Sequence, residues 1–252
     1  MLSQSELKDF LDSKSNQFNH PDFITDDPIQ IPHQFSKKED IEISGFLAAT
    51  IAWGQRKTII NNANKIMDIM GHEPHSFVLN AGLKEVLELE KFKHRTFNGI
   101  DLQFFIGSLR NMYLFHNGLE GAFSGQKNAF NAINQFRNIM LSVDHEKRSE
   151  KHVSSPKKGS ASKRINMFLR WMTRKDQAGV DFGIWNVLPM SELMIPLDVH
   201  TGNMARKLNL IQRKQNDWKA LEELMSVLRK LDPKDPAKYD FALFGLGVNE
   251  DF

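Results

Sequence analysis

The sequence of 252 residues contains no cysteine, and this absence excludes three kinds of site together. Disulfides, zinc sites with thiolate ligands and cysteine-held iron–sulfur clusters all need that residue. The sequence also has no apolar run near the roughly 20 residues that a membrane helix requires. Its first residues lack the layout of a signal peptide. We therefore expect a cytoplasmic protein that contacts no membrane and holds no iron–sulfur cluster.

Motifs for nucleotides and metals are missing as well. The sequence has neither Gly-x-Gly-x-x-Gly nor a Walker motif. The segment His72-Glu73-Pro74-His75 contains two histidines, but Pro74 and the spacing exclude the zinc-binding helix His-Glu-x-x-His. We therefore predict no cofactor and no bound metal.

The sequence also lacks a sustained alternation of apolar and polar residues, so we predict an all-α protein without a sheet. Its hydrophobic content of 40 % and charged content of 25 % are ordinary for a globular protein. Asp101 is predicted to cap one of the helices. Apolar residues at helical spacing predict helices over 40–52, 58–70, 101–115, 128–143, 161–174, 218–231 and 237–247.

The net charge is only +2, but basic residues are concentrated in one window. Between Lys147 and Lys175 there are ten Lys or Arg residues and a single acid, Glu150, which gives this window a net charge of +9. Such a window is either a solvated basic loop or a patch that faces phosphates. Its polar part, from Asp144 to Lys158, is expected to be mobile when no ligand is bound.

Asp198 follows the apolar segment Ile195-Pro196-Leu197, and a helical pattern begins directly after it. Asp is a strong N-cap because its carboxylate accepts hydrogen bonds from the free N–H groups of the first helical turn. The helix dipole also favours the ionised carboxylate. Asp198 is therefore predicted to be a rigidly held negative charge, although most Asp residues at such positions are only caps.

A second short motif, Gly159-Ser160-Ala161-Ser162, precedes Lys163 and an apolar helix. Small residues predict a tight turn there, and they let backbone N–H groups approach a phosphate closely. A helix N-terminus also favours an anion. Because the turn lies inside the basic window, the phosphate-facing interpretation of that window is favoured.

Both motifs resemble those of the helix-hairpin-helix DNA glycosylases, which include endonuclease III and the 8-oxoguanine DNA glycosylases. Residues 159–163 resemble the Gly-x-Gly-x-Lys end of the hairpin, and residues 196–200, Pro-Leu-Asp-Val-His, resemble the downstream motif. The resemblance implies that Lys163 is a nucleophile and that Asp198 is the carboxylate that assists it.

The resemblance further implies a two-lobed, all-helical fold and a set of DNA contacts. One domain would cover 39–175 and end in the hairpin, and a discontinuous lobe would combine 1–38 with 176–252. In the superfamily a polar residue fills the gap left by an extruded base, and Gln55 occupies that place here, although a surface loop is the alternative. The other implied DNA-contacting residues are Arg56, Lys57, Lys157, Lys158, Gly159, Ser160, Ala161 and Ser162.

A base pocket is implied less directly. His94, Arg95 and Trp185 are its candidates, because Arg stacks on bases and hydrogen-bonds to their edges. A structural ion pair is the alternative for His94 and Arg95.

Taken together, these expectations describe a monomeric base-excision repair glycosylase with AP-lyase activity that acts on double-stranded DNA. A damaged base, with an oxidised purine as the candidate, would be its substrate. The alternative is a non-catalytic DNA- or RNA-binding protein that retains the glycosylase fold. The chain as a whole also resembles an uncharacterised bacterial family, domain of unknown function 2400, and that resemblance implies no activity.

Overall fold

A computed structural model describes residues 3–249 of the chain. Helices account for 66 % of the described residues and strands for 2 %, which confirms the all-α class. No helix in this described range has both the length and the apolar composition needed to cross a membrane. Its α-helices are α1 (Gln4–Phe18), α2 (Asp22–Thr25), α3 (Lys38–Thr50), α4 (Arg56–Ile69), α5 (Pro74–Asn80), α6 (Leu83–Glu88), α7 (Gly99–Phe115), α8 (Gly118–Phe123), α9 (Ala129–Met140), α10 (Lys163–Thr173), α11 (Val199–Lys207), α12 (Trp218–Leu231) and α13 (Tyr239–Asn249).

Short 3₁₀ helices connect many of these elements. Four of them begin at a proline, whose fixed φ suits the first helical position and whose missing N–H would have no partner there. The 3₁₀ helices are Pro28–Gln30, Pro32–Gln34, Leu89–Lys91, Lys147–His152, Pro156–Lys158, Met190–Glu192 and Pro236–Lys238.

Residues 144–158 were expected to be mobile, but they form a folded segment. Two of the 3₁₀ helices lie in it, and the side chains of Ser149 and His152 are buried. The Ser149 hydroxyl donates to Asp101 Oδ1 over 2.6 Å. The prediction of mobility was wrong because it used composition alone, whereas the buried contacts join residues far apart in the sequence.

A two-stranded antiparallel sheet contradicts the prediction that no sheet is present. Strand β1 is Lys93–His94 and strand β2 is Phe97–Asn98, and Arg95 in the turn has φ 55°. Two-residue strands are too short to produce a detectable alternation.

The N-cap of α7 is Asn98, and the prediction that Asp101 caps this helix was therefore wrong. Asp101 is the third residue of the helix, and its carboxylate accepts a hydrogen bond from the Asn98 backbone N–H over 2.9 Å. The Asn98 side chain accepts one from the Asp101 N–H over 3.3 Å. This reciprocal arrangement is a capping box.

The chain divides into two compact units. The terminal unit contains the N-terminal residues to Phe23, Lys127–Ala129, and the chain from Ser155 onwards. The middle unit contains Ile24–Gln126 and Phe130–Ser154. This division differs from the predicted boundary at 175, because α10 belongs with the C-terminal helices.

Aromatic packing and ion pairs explain why α10 belongs to the terminal unit. The ring of Phe168 on α10 packs edge-on against Trp185, with centroids 5.1 Å apart. Arg170 on the same helix and Arg174, its C-cap, form ion pairs with Asp181. Helix α10 is therefore held by residues that follow it in the chain.

The core of the middle unit is built around α3, which is buried along most of its length, as its apolar sequence predicted. Phe46 of α3 stacks on Phe105 and meets Phe136 edge-on, with ring centroids 5.7 and 5.4 Å apart. The core of the terminal unit is formed partly by α12, whose Leu221, Leu224, Met225 and Leu228 are buried. Its bounds, Trp218–Leu231, are those predicted.

Candidate active site

Lys163 and Asp198 lie next to each other in the terminal unit, although 35 residues separate them in the sequence. The distance from Lys163 Nζ to Asp198 Oδ2 is 3.3 Å. The Lys163 side chain is 33 % exposed and that of Asp198 is 16 % exposed. Both charged groups can therefore be reached from solvent.

Each residue of this pair stands at the N-terminal end of a helix. Lys163 is the first residue of α10, whereas Asp198 is the N-cap of α11. Asp198 Oδ1 accepts a hydrogen bond from the Thr201 backbone N–H over 2.9 Å, as predicted for a cap. The other carboxylate oxygen, Oδ2, is the one that faces Lys163.

The backbone of Asp198 is fixed by a side chain that sequence reasoning did not identify. Asn216 Nδ2 donates to the carbonyl oxygen of Asp198 over 2.8 Å, and Asn216 Oδ1 accepts from Arg206 Nη2 over 2.6 Å. Gly202 lies directly beneath this amide: a Cβ atom at that position would lie 2.5 Å from Asn216 Oδ1. The absence of a side chain at Gly202 thus lets Asn216 hold Asp198.

The small-residue turn before Lys163 is present, and two of its residues have a left-handed backbone conformation. Gly159 has φ 86° and Ser162 has φ 49°. A non-glycine residue in this region is strained by about 1 kcal/mol or more. The turn is held from outside by a hydrogen bond from the Trp218 N–H to the Gly159 carbonyl, 2.9 Å long. Because a 3₁₀ helix, Pro156–Lys158, precedes the turn, no α-helix leads directly into it.

A third charged residue of the site, Asp240, lies in the first turn of α13 and is 4 % exposed. Its Oδ2 forms an ion pair with Arg170 Nη1. Burial raises the pKa of Asp240 to about 7 against the attraction of Arg170, and the charge of Asp198 acts in the same direction as burial. The carboxyl group is therefore divided between its neutral and charged forms near neutral pH.

The C-terminal half of α10 carries a buried network of ion pairs. Arg170 Nε lies 3.2 Å from Asp181 Oδ1, and Arg174 Nη1 lies 3.0 Å from Asp181 Oδ2. Arg174 also contacts Asp176 at 2.6 Å and Asp235 at 2.9 Å. Both arginine side chains are only 3 % exposed. These contacts connect α10 to the two segments around Asp181 and Asp235.

The +9 window is therefore not a single surface patch. Arg170 and Arg174 are neutralised inside the terminal unit, and Arg148 forms an ion pair with the buried Asp101 in the middle unit, 2.9 Å long. Lys157 and Lys158 in contrast are exposed beside the turn. Only part of the basic character counted from the sequence is available to a phosphate.

The remaining predicted DNA-contacting residues are in the middle unit. Gln55, Arg56 and Lys57 are exposed at the start of α4, where Gln55 is the N-cap and makes no capping hydrogen bond through its side chain. This break between α3 and α4 was predicted from the sequence. The exposure of all three side chains is compatible with either a DNA contact or a surface loop.

The three base-pocket candidates are divided between the units. His94, in the middle unit, is buried, and its ring nitrogens lie 2.8 Å from Asn62 Nδ2 and 3.1 Å from the Trp53 carbonyl oxygen. Arg95 is exposed, and its side chain covers the backbone of Gly54. Trp185 is fully buried in the core of the terminal unit. His94 and Trp185 thus act as packing residues in this structure.

No group of three or more His, Asp or Glu residues suited to a metal ion occurs within residues 3–249.

Comparison with known proteins identifies a family. The model of the family described as "Protein of unknown function (DUF2400)" matches residues 27–249. The chain belongs to this family. No curated protein and no solved structure matches the chain.

The site of this DUF2400 protein includes charged residues that the sequence reasoning missed. Asp240 and Arg170 interrupt otherwise apolar helical stretches, Tyr239–Leu243 and Phe168–Met172. Lys, Arg, Asp and Glu are almost never fully buried unless they are paired. A charged residue inside an apolar stripe was therefore the signal that could have indicated both partners.

Proposed function

We propose that the protein is a DNA glycosylase with AP-lyase activity and a helix-hairpin-helix glycosylase-like fold. Lys163 would be the Schiff-base nucleophile and Asp198 the activating carboxylate. The observation that carries the proposal is the 3.3 Å distance between Lys163 Nζ and Asp198 Oδ2, reached across 35 residues of sequence. The two motifs that resemble the glycosylase superfamily are thus in direct contact.

The exposure of the pair also supports a chemical role. A structural ion pair in a core is normally dehydrated and hydrogen-bonded on all sides. The Lys163 side chain is one-third exposed, whereas Arg170 later in the helix and Arg174 at its C-cap are almost fully buried. A nucleophile must be accessible to its substrate, and Lys163 meets this requirement.

The proposed reaction begins with a base that has left the helical stack. Asp198 accepts a proton from the Lys163 ammonium, and the resulting amine bonds to C1′ of the sugar. The bond from C1′ to the base breaks, and its electron pair leaves with the base, which takes up a proton. The sugar ring then opens to a Schiff base. Loss of a proton from C2′ eliminates the 3′ phosphate and cleaves the strand.

Phosphate binding would be the task of the turn before Lys163. Lys157 and Lys158 are exposed on its N-terminal side, and α10 directs its N-terminus, the positive end of its dipole, towards the same turn. The strained backbone of Ser162 fits a site whose geometry is fixed before the ligand binds. Double-stranded DNA is therefore the proposed partner, and an oxidised purine is the proposed base.

The alternative is a non-catalytic nucleic-acid-binding protein of the same fold. The same exposed lysines and turn would hold the phosphate backbone in that case, and the Lys163–Asp198 contact would only order the helix ends. The two proposals differ in one measurable property, which is the formation of a covalent bond to the sugar.

Borohydride trapping tests this difference. Wild-type protein mixed with a duplex that carries an abasic site should form a covalent complex, because borohydride reduces a Schiff base to a stable amine. Lys163→Gln should form none while it still binds the duplex. Lys230→Gln, the same substitution at an exposed lysine of the terminal unit that is not among the proposed DNA contacts, should trap like the wild type.

A panel of duplexes with different damaged bases extends the experiment to the substrate. Strand cleavage on one of them would identify the base. Absence of trapping on the abasic duplex and on every damaged duplex would overturn the enzymatic proposal. A link mapped to Lys157, Lys158 or Lys175 would overturn the assignment of Lys163.

A further inference from the structure

Three consecutive residues, Asn216, Asp217 and Trp218, contact both motifs of the candidate site. Asp217 is the N-cap of α12 and Trp218 is its first residue, while Asn216 directly precedes them. None of the three belongs to a motif. We call residues 216–218 the connecting segment, because its contacts reach the cap of α11 on one side and the turn before α10 on the other.

The first contact of the connecting segment is with the backbone of Asp198. The Asp198 carbonyl oxygen accepts a hydrogen bond from the Gly202 N–H over 2.9 Å and a second one from Asn216 Nδ2 over 2.8 Å. A carbonyl oxygen has two lone pairs, so both bonds form together. Arg206 Nη2 donates to Asn216 Oδ1 over 2.6 Å, which directs the donor end of the amide towards Asp198. The position of Asp198 therefore depends on an oriented side chain outside α11.

The second contact is with the turn before Lys163. The Trp218 N–H donates to the Gly159 carbonyl oxygen over 2.9 Å, and Ser160 and Asp217 form an isolated antiparallel bridge. These are backbone contacts, so they fix the path of the chain into α10. The turn is thus attached to the same segment that holds the cap of α11.

We propose that the connecting segment sets the distance between Lys163 and Asp198, and that Asn216 is the positioning residue that keeps Asp198 Oδ2 against the Lys163 amine. The Lys163 side chain has a long, flexible stem and can adjust its position. The short Asp198 side chain is already fixed through Oδ1 by the Thr201 N–H, so its backbone decides where Oδ2 lies. The inference rests on the proposed function for its role in a reaction, but the geometry can be measured without DNA.

Gly202 offers a way to displace the Asn216 amide without changing Asn216. A Cβ atom at Gly202 would lie 2.5 Å from Asn216 Oδ1 and 2.8 Å from Nδ2, so Gly202→Ala forces the amide away. Alanine is also a better helix former than glycine, so the substitution does not weaken α11 itself. Asn216→Ala removes the same amide directly. The two single variants and their double variant therefore form a complete cycle.

Hydrogen exchange of the Thr201 backbone N–H measures the position of Asp198 without DNA. This N–H donates to Asp198 Oδ1 over 2.9 Å, so it exchanges faster when the cap loosens. Both single variants should raise its exchange rate, read by NMR, about three- to tenfold, which is the effect of losing one hydrogen bond. The Asp101 N–H, which is held by the Asn98 side chain in the middle unit, is the internal reference and should not change.

Borohydride trapping at saturating abasic duplex measures the consequence for the reaction. Misplaced reacting groups lower a rate by up to about 10²-fold, so each single variant should trap about ten- to hundredfold more slowly, with an unchanged dissociation constant for the duplex. The double variant should trap no more slowly than Asn216→Ala alone, because Gly202→Ala then has no amide to displace. Losses that multiply in the double variant would overturn the proposal.

Two further variants separate positioning from a general loss of stability. Asn216→Asp keeps the shape and the acceptor for Arg206 but cannot donate to the Asp198 carbonyl oxygen, so it should trap as slowly as Asn216→Ala. Ser15→Ala is the matched control, because it also removes a side-chain donor to a distant backbone carbonyl of the terminal unit. It should change neither Thr201 exchange nor trapping. A wild-type rate in Asn216→Asp, or equal slowing in Ser15→Ala, would contradict the role of Asn216.

The two readouts also separate this inference from the proposed function. If wild type traps but the Asn216 variants trap at the same rate, the positioning role fails and the proposed function survives, whatever the exchange of Thr201. If Thr201 exchange responds as expected but no duplex is trapped by wild type, the connecting segment does position Asp198 and the proposed function fails.

Discussion

Helix α10 uses its basic residues in two different ways. At its N-terminal end, Lys163 has one close carboxylate and remains one-third exposed. Further along, Arg170 on the helix and Arg174 at its C-cap are almost fully buried, and they pair with two and three carboxylates respectively. The helix with its C-cap thus keeps one charge accessible and uses two others to hold neighbouring segments. The comparison shows that burial and the number of partners, rather than residue type, separate a candidate reactive group from a structural one.

The loss of stability caused by a mutation should be larger in the buried arginine network than at the partly exposed Lys163–Asp198 pair. Removing one member of a buried ion pair leaves an uncompensated charge and typically costs about 3–5 kcal/mol of stability. A partly exposed pair contributes about 0–1 kcal/mol. Mutations of the buried arginines should therefore affect folding, and mutations of the Lys163–Asp198 pair should affect activity.

The largest expected effect is on activity. Asp198→Asn should lower the single-turnover rate of base release by about 10²–10⁴-fold, because the proton acceptor of Lys163 is lost. The stability should change little, since Asn is an equally good N-cap. If the variant releases the base at the wild-type rate, Asp198 serves only as the N-cap of α11. The Lys163–Asp198 pair would then be as structural as the buried arginine network.

The next effect is on stability. Arg174→Met fills a similar volume but leaves Asp176, Asp181 and Asp235 without their common partner, so the free energy of unfolding should fall by about 3–5 kcal/mol. Lys163→Met is the matched substitution at the exposed end of the helix, and it should change that free energy by less than about 1 kcal/mol. Urea unfolding of both variants provides the measurement. Equal losses would show that exposure does not separate the two regions.

The smallest expected effect is on DNA binding by the exposed lysines. Replacing Lys157 and Lys158 with Ala should lower the slope of log K against log salt by about 2, because two phosphate contacts are lost. Damaged and intact duplexes should be affected alike. Lys147 and Lys151, which are also exposed but belong to the middle unit, supply the control double variant. The same loss in both double variants would indicate a diffuse charge effect instead of a site.

Much of the helical architecture could be predicted, because apolar periodicity is a local signal. The break after α3, the bounds of α12 and the cap at Asp198 all follow from residues adjacent in the sequence. The short hairpin at Lys93–Asn98 was missed because each strand has two residues. The cap of α7 was assigned to Asp101, three positions too late, because both Asn98 and Asp101 have capping side chains.

Of the residues in the candidate site, only the two that belong to motifs could be predicted from the sequence. Lys163 and Asp198 were selected from a resemblance, and their contact is a tertiary fact that periodicity cannot supply. Asn216, which holds the Asp198 backbone from the segment before α12, belongs to no motif. The basic character of the window was overestimated because the acids that neutralise Arg170 and Arg174, among them Asp176 and Asp181, lie outside the counted residues 147–175.

The packing of α1 on α13 has a consequence for how the chain is made. The Phe18 ring lies directly against Gly245, and the Ser15 hydroxyl donates to the Lys238 carbonyl oxygen over 2.9 Å. More than 200 residues separate these partners, so closing them is a long-range step in folding. On the ribosome, α1 is complete long before α13 exists. The surface of α1 that packs against α13 therefore stays uncovered until α13 has been synthesised.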